Sequence, residues 1–455
     1  MADTAAPPFL SRKERLASGK ALRQHTPFEV HGTWKSPGSQ RDVIAILEAS
    51  NRDRLKELVP IRYGRMLRSP LAFLRGSASL MAQDLATGPR SGINVQACGD
   101  CHLLNFGLFA SPERNLVFDL NDFDETLPAP WEWDIKRLAT SFVVAARDRS
   151  TPAAHARDLA VVCARAYRES LRAYSKMQPL EVWYSRLDTQ TLLAMTPNAK
   201  ERKQLERLFE RAHNRGSDYA SPKIAEQVAG HLRIIDQPPT IRHLGDADFL
   251  GTVQQSLSEY RNSLADERRV LFDRYQLADA ALKVVGIGSV GTRCYIALML
   301  SADNSPLILQ LKEAGRSVLE PHAPRSRYDN HGQRVVMGQR LMQSSSDIFL
   351  GWMRGPGGRD YYVRQLRDMK LSMPVEDEDL TQLERYAAIC GLTLARAHAR
   401  SGDAATISGY LGKDDAFEQA LGNFAQLYAD QTRDDHAVLV KAVKAGRVKA
   451  MIEGK

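Results

Sequence analysis

Two neighbouring segments carry side chains that could hold a metal ion and accept a proton. Residues 99–107 read Gly-Asp-Cys-His-Leu-Leu-Asn-Phe-Gly, which places Asp100 five positions before Asn105. An acidic segment (residues 121–125, Asn-Asp-Phe-Asp-Glu) follows the apolar run 116–118. Phosphoryl transfer uses this inventory, because one carboxylate orients the attacking hydroxyl while an Asn and one or two Asp hold Mg²⁺ on the nucleotide phosphates. The pattern predicts a catalytic site of that kind.

A glycine-rich loop (residues 284–293) lies much further along the chain. Its residues Gly286, Gly288 and Gly291 form a G-x-G-x-x-G pattern, with Ser289 inside it. Glycines let a backbone turn lie close over phosphates. A dinucleotide-binding turn shares the pattern but should open a helix, whereas the residues that follow here are typical of a strand. The context therefore favours a phosphate-covering loop and disfavours an NAD-dependent oxidoreductase.

Lys312 ends the second of two β-rich runs that follow this loop. The first run covers 294–300 and the second covers 307–311. A lysine on the strand after a glycine-rich loop can pair with nucleotide phosphates, provided that a carboxylate fixes its ammonium group. Glu320 is the predicted partner, because Glu313 would point to the opposite face of a continuing strand.

Two alternatives for this pairing stay open. Glu320 stands directly before Pro321, where a solvated loop acid fits the sequence equally well. A helical run over 333–343 is expected behind Lys312, and its Gln339 could replace Glu320 as the partner.

The order of these motifs differs from that of ordinary kinases, in which the glycine-rich loop and its lysine come first. Domain termini usually lie at the surface and often close together, so a circularly permuted order is tolerable. The motifs Gly-Asp-x-His-x-x-Asn-Phe-Gly, Asn-Asp-Phe-Asp-Glu, Gly-x-Gly-Ser-x-Gly-Thr-Arg and Lys-Glu-Ala resemble the bacterial family known as domain of unknown function 2252. The resemblance extends from about Tyr63 to about Tyr428. That family name implies no activity.

The form Gly-Asp-x-His-x-x-Asn is also similar to the catalytic loop of aminoglycoside and choline phosphotransferases. This second resemblance implies that Asp100 is the catalytic base and Asn105 a metal ligand. It implies that Asp122 is the second metal ligand, with Asp124 near the metal. Asp119 competes with Asp122, because it also ends the apolar run.

The preference for Asp122 depends on the run 134–139, Asp-Ile-Lys-Arg-Leu-Ala, which begins a short way after it. In the phosphotransferases an Asp-Leu-Ala at a similar distance begins a helix that supports the catalytic loop. Cys98 departs from the family pattern, in which a His often precedes the Gly-Asp pair. The departure bears on how the loop is positioned.

The resemblances together imply an ATP- and Mg²⁺-dependent phosphotransferase that acts on a hydroxyl of an unidentified small molecule. The residues implied to bind the nucleotide are Gly286, Gly288, Ser289, Gly291, Lys312 and Glu320. The residues implied to bind the metal are Asn105, Asp122 and Asp124, and Asp100 is implied to be catalytic. Two alternatives share the fold: transfer of AMP from a nucleotide bound in reverse, and a nucleotide-binding regulator without turnover. The intact acidic set argues against the regulator.

A rival motif overlaps the Asp100 region. Cys98, Cys101 and His102 spell C-x-x-C-H, the signature of covalent haem attachment. Haem attachment of this type normally occurs outside the cytoplasm, but the first eight residues lack a charged and apolar leader pattern. The five cysteines are odd in number and scattered, as in a reducing compartment, and no second C-x-x-C offers a zinc site. We therefore expect a cytoplasmic protein in which the cysteine spacing is a coincidence.

Composition is that of an ordinary globular enzyme. Hydrophobic residues make up 43% and charged residues 25% of the 455 positions, and no apolar run approaches the ~20 residues that cross a bilayer. The net charge is +8, but the basic residues alternate with acids and lack an aromatic–basic recognition motif. We expect no membrane partner and no nucleic acid, and the sequence sets no oligomeric state.

The elements that must position the site predict an α+β, protein-kinase-like two-lobe fold in circularly permuted order. Residues 1–65 are expected to form an N-terminal arm and 66–280 a mainly helical lobe with the catalytic and metal-binding loops. Residues 281–370 are expected to form a small antiparallel sheet lobe, and 371–455 the helices that complete the helical lobe. A strand is predicted at 94–97, and 249–281 is predicted to be mainly helical.

A helix start is predicted at Ser69-Pro70. A serine cap followed by proline at the first helical position is the usual signature, and the helical pattern could run to Leu85.

Overall fold

The computed structural model of the protein describes residues 9–38, 41–214, 224–228, 230–245, 248–366, 369, 371–372 and 379–453. The chain is a mixed α+β protein with several antiparallel sheets. The expectation about a leader at residues 1–8 lies outside the described residues.

Helices dominate the first and last thirds of the chain. Those before residue 275 are Arg12–Ala21, Phe28–His31, Val43–Ala49, Val59–Met66, Pro70–Gly76, Ala78–Ala86, Trp131–Arg147, Ala153–Tyr174, Pro179–Tyr184, Thr189–Ala194, Ala199–His213, Phe249–Asn262 and Asp266–Phe272. Those that follow or lie within the sheet region are His331–Met342, Leu380–Ser401, Ala404–Leu411 and Ala416–Lys444.

The described strands are short and are numbered here in chain order. They are β1 Asn94–Ala97, β2 Phe106–Ala110, β3 Leu116–Leu120, β4 Leu127–Pro130, β5 Leu187–Asp188, β6 Ala225–Val228, β7 His231–Ile234, β8 Ile241–Arg242, β9 Tyr275–Lys283, β10 Cys294–Ser301, β11 Pro306–Glu313, β12 Gly351–Arg354, β13 Asp360–Gln365 and β14 Leu371–Ser372. The predicted strand 94–97 is confirmed.

The largest sheet has six strands in the order β12-β13-β11-β10-β9-β8, and every neighbouring pair is antiparallel. The turn between β10 and β11 places Asn304 at φ 59°, a left-handed conformation that asparagine adopts more readily than most residues. Helix His331–Met342 packs against β12 and β13. This sheet places the glycine-rich loop and Lys312 on adjacent strands.

The prediction that 249–281 is mainly helical is confirmed up to Phe272 and is wrong from Tyr275 onward. Helices Phe249–Asn262 and Asp266–Phe272 form, but β9 then begins at Tyr275 and pairs along β10. Residues 278, 280, 281 and 282 carry small or aliphatic side chains that fit a strand as well as a helix. Pairing with the strongly apolar β10 decides between the two, because tertiary contacts override local propensity. The sheet therefore begins before residue 281.

Two smaller sheets hold the segments around Asp100. β1 pairs with β4, so that the chain entering the Asp100 region lies beside the chain leaving the acidic segment. β2 and β3 form a hairpin, with β14 on one edge and β5 on the other. The two ends of this hairpin carry Asn105 and the acidic segment, which brings their side chains together.

A helical body supports these small sheets. It is formed by helices Trp131–Arg147 and Ala153–Tyr174, against which the C-terminal helices Leu380–Ser401 and Ala416–Lys444 pack. Their facing residues belong to one large apolar core that also contains the small sheets, whereas the six-stranded sheet has cores of its own. The helical body is thus completed by residues from both sides of the sheet in sequence.

The helix predicted at Ser69 begins as expected, with the serine side chain accepting from the Ala72 backbone N–H and Pro70 at the first position. It ends at Gly76, and a separate helix continues from Ala78, so the predicted extension to Leu85 is interrupted. A Cβ at position 76 would meet the Met66 side chain at 2.6 Å, which explains the glycine.

Among the described helices, none combines the length and the apolar character that a bilayer-spanning segment requires.

Candidate functional site

The glycine-rich loop connects β9 to β10 and contains one short helical turn, Ile287–Ser289. Gly291 has φ 87°, a conformation that favours glycine. The outside of the loop is held by Arg54, which donates to the carbonyl oxygens of Val290 at 2.5 Å and Gly288 at 2.8 Å. The loop carbonyls are therefore anchored on one side, and its inner side faces the Asp100 region.

Lys312 lies near the end of β11, where it pairs in register with Cys294 on β10. Its side chain is 4% exposed. Its Nζ is 2.5 Å from Asp124 Oδ2 and 3.6 Å from Asp122 Oδ1. The buried ammonium is therefore neutralised by the acidic segment.

The predicted pair between Lys312 and Glu320 is not formed. Glu320 accepts hydrogen bonds from Arg316 Nε at 2.7 Å and from the backbone N–H of Ser326 at 3.2 Å. The chain turns away after β11, so proximity in sequence does not bring this glutamate to the lysine. Gln339, the alternative, donates instead to Gln343 at 2.9 Å.

In kinases the helix that follows the lysine strand carries the acid that pairs with the lysine. The corresponding helix here, His331–Met342, carries Arg334. Arg334 is 2% exposed. Its guanidinium donates to the carbonyl oxygens of Thr126 at 2.7 Å, Asp124 at 2.8 Å and Gly315 at 2.9 Å. Arg334 thus fixes the backbone around the acidic segment, and none of these three hydrogen bonds involves Lys312.

The backbone of the Asp100 loop (residues 98–105) is held by the side chain of Asp134. Its carboxylate accepts from the backbone N–H groups of Cys98 at 2.6 Å and Gly99 at 2.9 Å. Gly99 has φ 85°, and a Cβ there would lie 2.4 Å from the Glu125 carbonyl oxygen, so only glycine fits. Asp134 lies in the first turn of helix Trp131–Arg147, as the resemblance to phosphotransferases implied.

Asp100 forms a close ion pair with Arg137, whose Nε lies 2.6 Å from Asp100 Oδ1. Burial raises the pKa of Asp100, although Arg137 opposes that effect. The Asn105 side-chain amide donates to the Asp100 backbone carbonyl at 2.5 Å, which closes the loop. A carboxylate with a raised pKa and a fixed orientation is suited to accept a proton.

Asp119 and Asp122 differ in what surrounds them. Asp119 is fully buried and pairs with the equally buried Arg396 at 2.6 Å. Its other oxygen accepts from the Ser344 backbone at 2.8 Å. The Asp122 side chain is 38% exposed and lines a cavity together with Asp100. The competition between the two therefore favours Asp122 as the residue available to a ligand.

Asp124 is surrounded by three donors. Besides Lys312, it accepts from the Tyr362 hydroxyl at 2.8 Å and from the Ser289 hydroxyl at 3.0 Å. Although burial alone would raise it, the pKa of Asp124 is lowered to about 2, chiefly by Lys312. Asp124 thus links the acidic segment to the glycine-rich loop and to β13.

The pKa of the next residue, Glu125, is shifted in the opposite direction to that of Asp124. Burial raises the pKa of its carboxyl to about 7, against the effect of the Val318 backbone N–H, which it accepts at 2.7 Å. Glu125 therefore holds its proton to a higher pH than an ordinary glutamate.

A cavity of about 130 Å³ joins the predicted parts. The residues that line it are Arg75, Asp100, His102, Asn105, Asp122, Val285, Gly286, Ile287, Gly288, Ser289, Gln310, Lys312 and Arg364. A Cβ at position 288 would lie 3.9 Å from Asp100 Oδ2, so the glycine-rich loop closes directly over the Asp100 carboxylate. Of the predicted site residues, Asp124, Gly291 and Glu320 are outside this lining, and Asp124 contacts two of its members, Lys312 and Ser289.

A second cavity, about 670 Å³, opens beside the first and shares Val285, Gly286, Gln310 and Arg364 with it. Many of its lining side chains are amides: Asn121, Gln237, Gln310, Gln339, Gln343 and Gln365. Such a lining offers many hydrogen-bond donors and acceptors to a polar ligand. The two cavities together form one cleft between the six-stranded sheet and the hairpin of β2 and β3 with its adjoining loops.

Sequence reasoning missed three cationic or aromatic residues of the site. Arg137 lies three residues after Asp134, one turn along the same helix face, and this spacing was a usable signal. Tyr362 and Arg364 lie on β13 opposite Lys312 and Gln310. Only the strand register reveals them, and a single sequence does not give it.

The residues fit a magnesium ion only with help from a ligand. Among the described residues, no group of three or more His, Cys, Asp or Glu side chains is clustered as a metal site. Asn105 and Asp122 both face the small cavity. Mg²⁺ is commonly bound by one or two carboxylates together with substrate phosphates, so a phosphorylated ligand would supply the missing oxygens.

The cysteines of the C-x-x-C-H motif are buried in the apolar core. The Cys98 thiol donates to the Asp122 carbonyl at 3.2 Å. His102 Nδ1 accepts from the Leu104 backbone N–H at 3.2 Å. These residues brace the Asp100 loop and the acidic segment against each other, and their arrangement does not favour haem attachment.

The described geometry is that of an α+β protein with a charged cleft between a six-stranded sheet and a helical body. The model of the family described as "Uncharacterized protein conserved in bacteria (DUF2252)" matches residues 54–442, and the chain belongs to this family. Neither a curated protein nor a solved structure matches the chain.

Proposed function

We propose that the protein is an ATP- and Mg²⁺-dependent phosphotransferase with a circularly permuted kinase-like arrangement of two lobes. The observation that carries the proposal is the small cavity, in which the glycine-rich loop and Lys312 face Asp100, Asn105 and Asp122. These parts are far apart in sequence, and phosphoryl transfer requires them together.

The six-stranded sheet supports the kinase-like comparison through its order of elements. In kinases a strand, a glycine-rich loop, two strands, with the lysine on the second, and a helix follow one another. The same succession occurs here from β9 to helix His331–Met342. The lysine differs in its partner, since Asp124 replaces the acid that kinases place on that helix.

Asp100 would orient the hydroxyl of the acceptor. As the acceptor oxygen forms a bond to the γ-phosphorus and the bond to the ADP oxygen breaks, the hydroxyl proton passes to Asp100. Arg137 holds this carboxylate in place through the 2.6 Å contact. A raised pKa makes the carboxylate a better proton acceptor than an exposed aspartate.

Asn105 and Asp122 would hold the metal, which neutralises charge on the phosphates when bound. The glycine-rich loop and Lys312 would hold the phosphates themselves. The amide-rich cavity beside them is large enough for the nucleoside part, since ligand sites typically span about 300–1,000 Å³.

The small cavity is too narrow for a triphosphate in its present form. Ser289 bridges the glycine-rich loop to Asp124 at 3.0 Å, which holds the loop against the acidic segment. Binding would therefore begin with release of this contact, and Lys312 would exchange Asp124 for phosphate. We expect the loop to move outward around its anchors at Arg54.

The test is a thermal-shift titration of the full chain with ATP, with and without Mg²⁺, followed by incubation with nucleotide labelled at either the α- or the γ-phosphorus. Stabilisation that requires Mg²⁺ and is lost in Asp122→Ala is expected, as is release of ADP when the acceptor is supplied. Transfer of α-label would replace phosphoryl by AMP transfer. Absence of any nucleotide-dependent shift would overturn the proposal.

A further inference from the structure

A third cavity, about 540 Å³, lies on the far side of the acidic segment and shares no lining residue with the two cavities of the cleft. Its walls are formed by β1, the start of β4, helix His331–Met342 and the segment 325–328. Its volume lies within the usual range of small-molecule sites.

The charge of the lining has one sign. No Asp or Glu lines this cavity. Its charged lining residues are four arginines: Arg325, Arg327, Arg334 and Arg340. Arg325 and Arg327 are exposed. Arg327 lies over the Tyr328 ring, 4.9 Å from its centroid, which fixes one guanidinium at the entrance. The arrangement favours an anionic head group.

The walls behind these arginines are mostly apolar. Val95, Leu127, Pro128, Met337 and Leu341 line the interior. Trp183 adds a large ring that is 45% exposed even though it stacks with Arg400 at 3.9 Å. Burying this apolar surface would favour binding by roughly 25 cal/mol per Å². A ligand for this cavity therefore needs an apolar body as well as an anionic head.

The cavity also touches the backbone of the proposed site. β1 leads directly into the Asp100 loop, and β4 follows directly after the acidic segment. Arg334 lines the cavity and donates to the Asp124 carbonyl at 2.8 Å. Its buried Nε makes no hydrogen bond to any residue in the described part of the chain. A ligand here would contact the supports of the catalytic segments without entering the cleft.

We propose that this cavity binds a small amphipathic anion, with an acyl or aryl body and a carboxylate or phosphate head. The apolar body occupies the space between β1 and helix His331–Met342, and the head is held by Arg325 and Arg327. The site is distinct from the nucleotide cleft, and the proposal does not depend on catalysis.

The binding test uses isothermal titration calorimetry of the full chain with decanoate and with decyl phosphate. Decyltrimethylammonium, which has the same chain and the opposite charge, is the ligand control. The Arg325→Gln/Arg327→Gln double variant should weaken binding of either anion at least tenfold. Arg207→Gln/Arg211→Gln, on the exposed face of helix Ala199–His213, is the matched protein control and should bind like the wild type.

A second variant, Met337→Trp, fills the cavity from the helix side and should abolish binding without removing a charge. Hydrogen exchange then locates the ligand: slower exchange is expected in residues 94–97 and 127–130 on addition of decanoate. Failure of both anions to bind, equal binding of decyltrimethylammonium, or unchanged binding in both variants would each overturn the proposal. None of these readouts involves turnover or ATP, so failure here is separate from failure of the proposed phosphotransferase.

Discussion

Lys312 and Asp124 form an ion pair that joins the six-stranded sheet to the acidic segment, with Nζ 2.5 Å from Oδ2. The helix behind Lys312 presents Arg334 and no carboxylate, so the acidic segment itself provides the counterion. A phosphate that approaches this ammonium must compete with Asp124. Under the proposed function, the pair would therefore couple nucleotide binding to the position of the carboxylates.

Replacing Lys312 by Met should destabilise the protein and remove its response to ATP. Asp124, whose side chain is 26% exposed, would lose its cation, and because the pair is only partly buried the cost should lie below the about 3–5 kcal/mol of a fully buried pair. Denaturant unfolding at pH 7, with and without ATP and Mg²⁺, measures both effects. The exposed Lys176→Met variant is the control for loss of a lysine. An unchanged free energy of unfolding in Lys312→Met would contradict the pairing.

Asp119→Asn and Asp122→Asn should have opposite consequences. The first leaves Arg396 buried beside a neutral amide and should lower the free energy of unfolding by several kcal/mol, on the order of 3. The second alters a partly exposed side chain, so we expect less than about 1 kcal/mol of destabilisation but loss of Mg²⁺-dependent ATP binding. Unfolding curves and nucleotide titrations of the two variants check this. A reversed pattern would move the metal site to Asp119.

Glu125 should make the protein less stable as the pH rises from about 4.5 to above 7. Its pKa is raised to about 7 in the folded state, so the folded state holds its proton more tightly than the unfolded state. The resulting contribution is complete below the unfolded pKa and is lost as pH rises through 7, a change of roughly 3 kcal/mol. Thermal midpoints between pH 4.5 and 8 measure it.

Glu125→Gln should flatten this pH dependence, whereas the exposed Glu206→Gln should leave it in place. Asp124 acts in the other direction and in a lower window. Its lowered pKa gives stability that is present above about pH 4 and is lost as the pH falls towards 2. Parallel pH profiles of wild type and Glu125→Gln would exclude Glu125 as the titrating group.

Asp134→Ala should loosen the Asp100 loop more than the rest of the protein. The carboxylate accepts from two buried backbone N–H groups, of Cys98 and Gly99, and each orphaned donor costs about 1–3 kcal/mol. Faster hydrogen exchange in residues 98–105 is expected, together with a lower rate of the proposed phosphoryl transfer. The neighbouring helices should exchange as in the wild type. Uniform acceleration across the chain would instead indicate a general loss of stability.

Local chemistry in the sequence was enough to predict the main parts of the candidate site. The G-x-G-x-x-G pattern followed by strand residues placed the loop directly before the strand that became β10, and the spacing of Asp100 and Asn105 placed both in one loop. Those features depend on short stretches of chain, in which turn chemistry and side-chain periodicity act directly. The relation of Asp134 to the loop was implied only by the resemblance to phosphotransferases.

The partner of Lys312 was beyond such reasoning. Glu320 was chosen because it is near in sequence, but the carboxylate that reaches the lysine comes from the acidic segment, on the other side of the cleft. Long-range pairing depends on how the sheet docks on the helical body, and one sequence does not determine that docking. The strand at Tyr275 was missed for the same reason, since its neighbour β10 decides its conformation.

The helical body draws its helices from both ends of the chain, while the six-stranded sheet is encoded between them. The ribosome therefore synthesises the acidic segment long before Lys312. It also synthesises the sheet before helices Leu380–Ser401 and Ala416–Lys444, which complete the helical body. During synthesis the acidic segment therefore emerges before Lys312, the cation that pairs with its carboxylates, has been made. We therefore expect that truncation near residue 240 or near residue 370 yields no fragment that folds on its own, because either cut removes part of the helical body. Removing the sheet alone would require excising it and joining the two flanking segments.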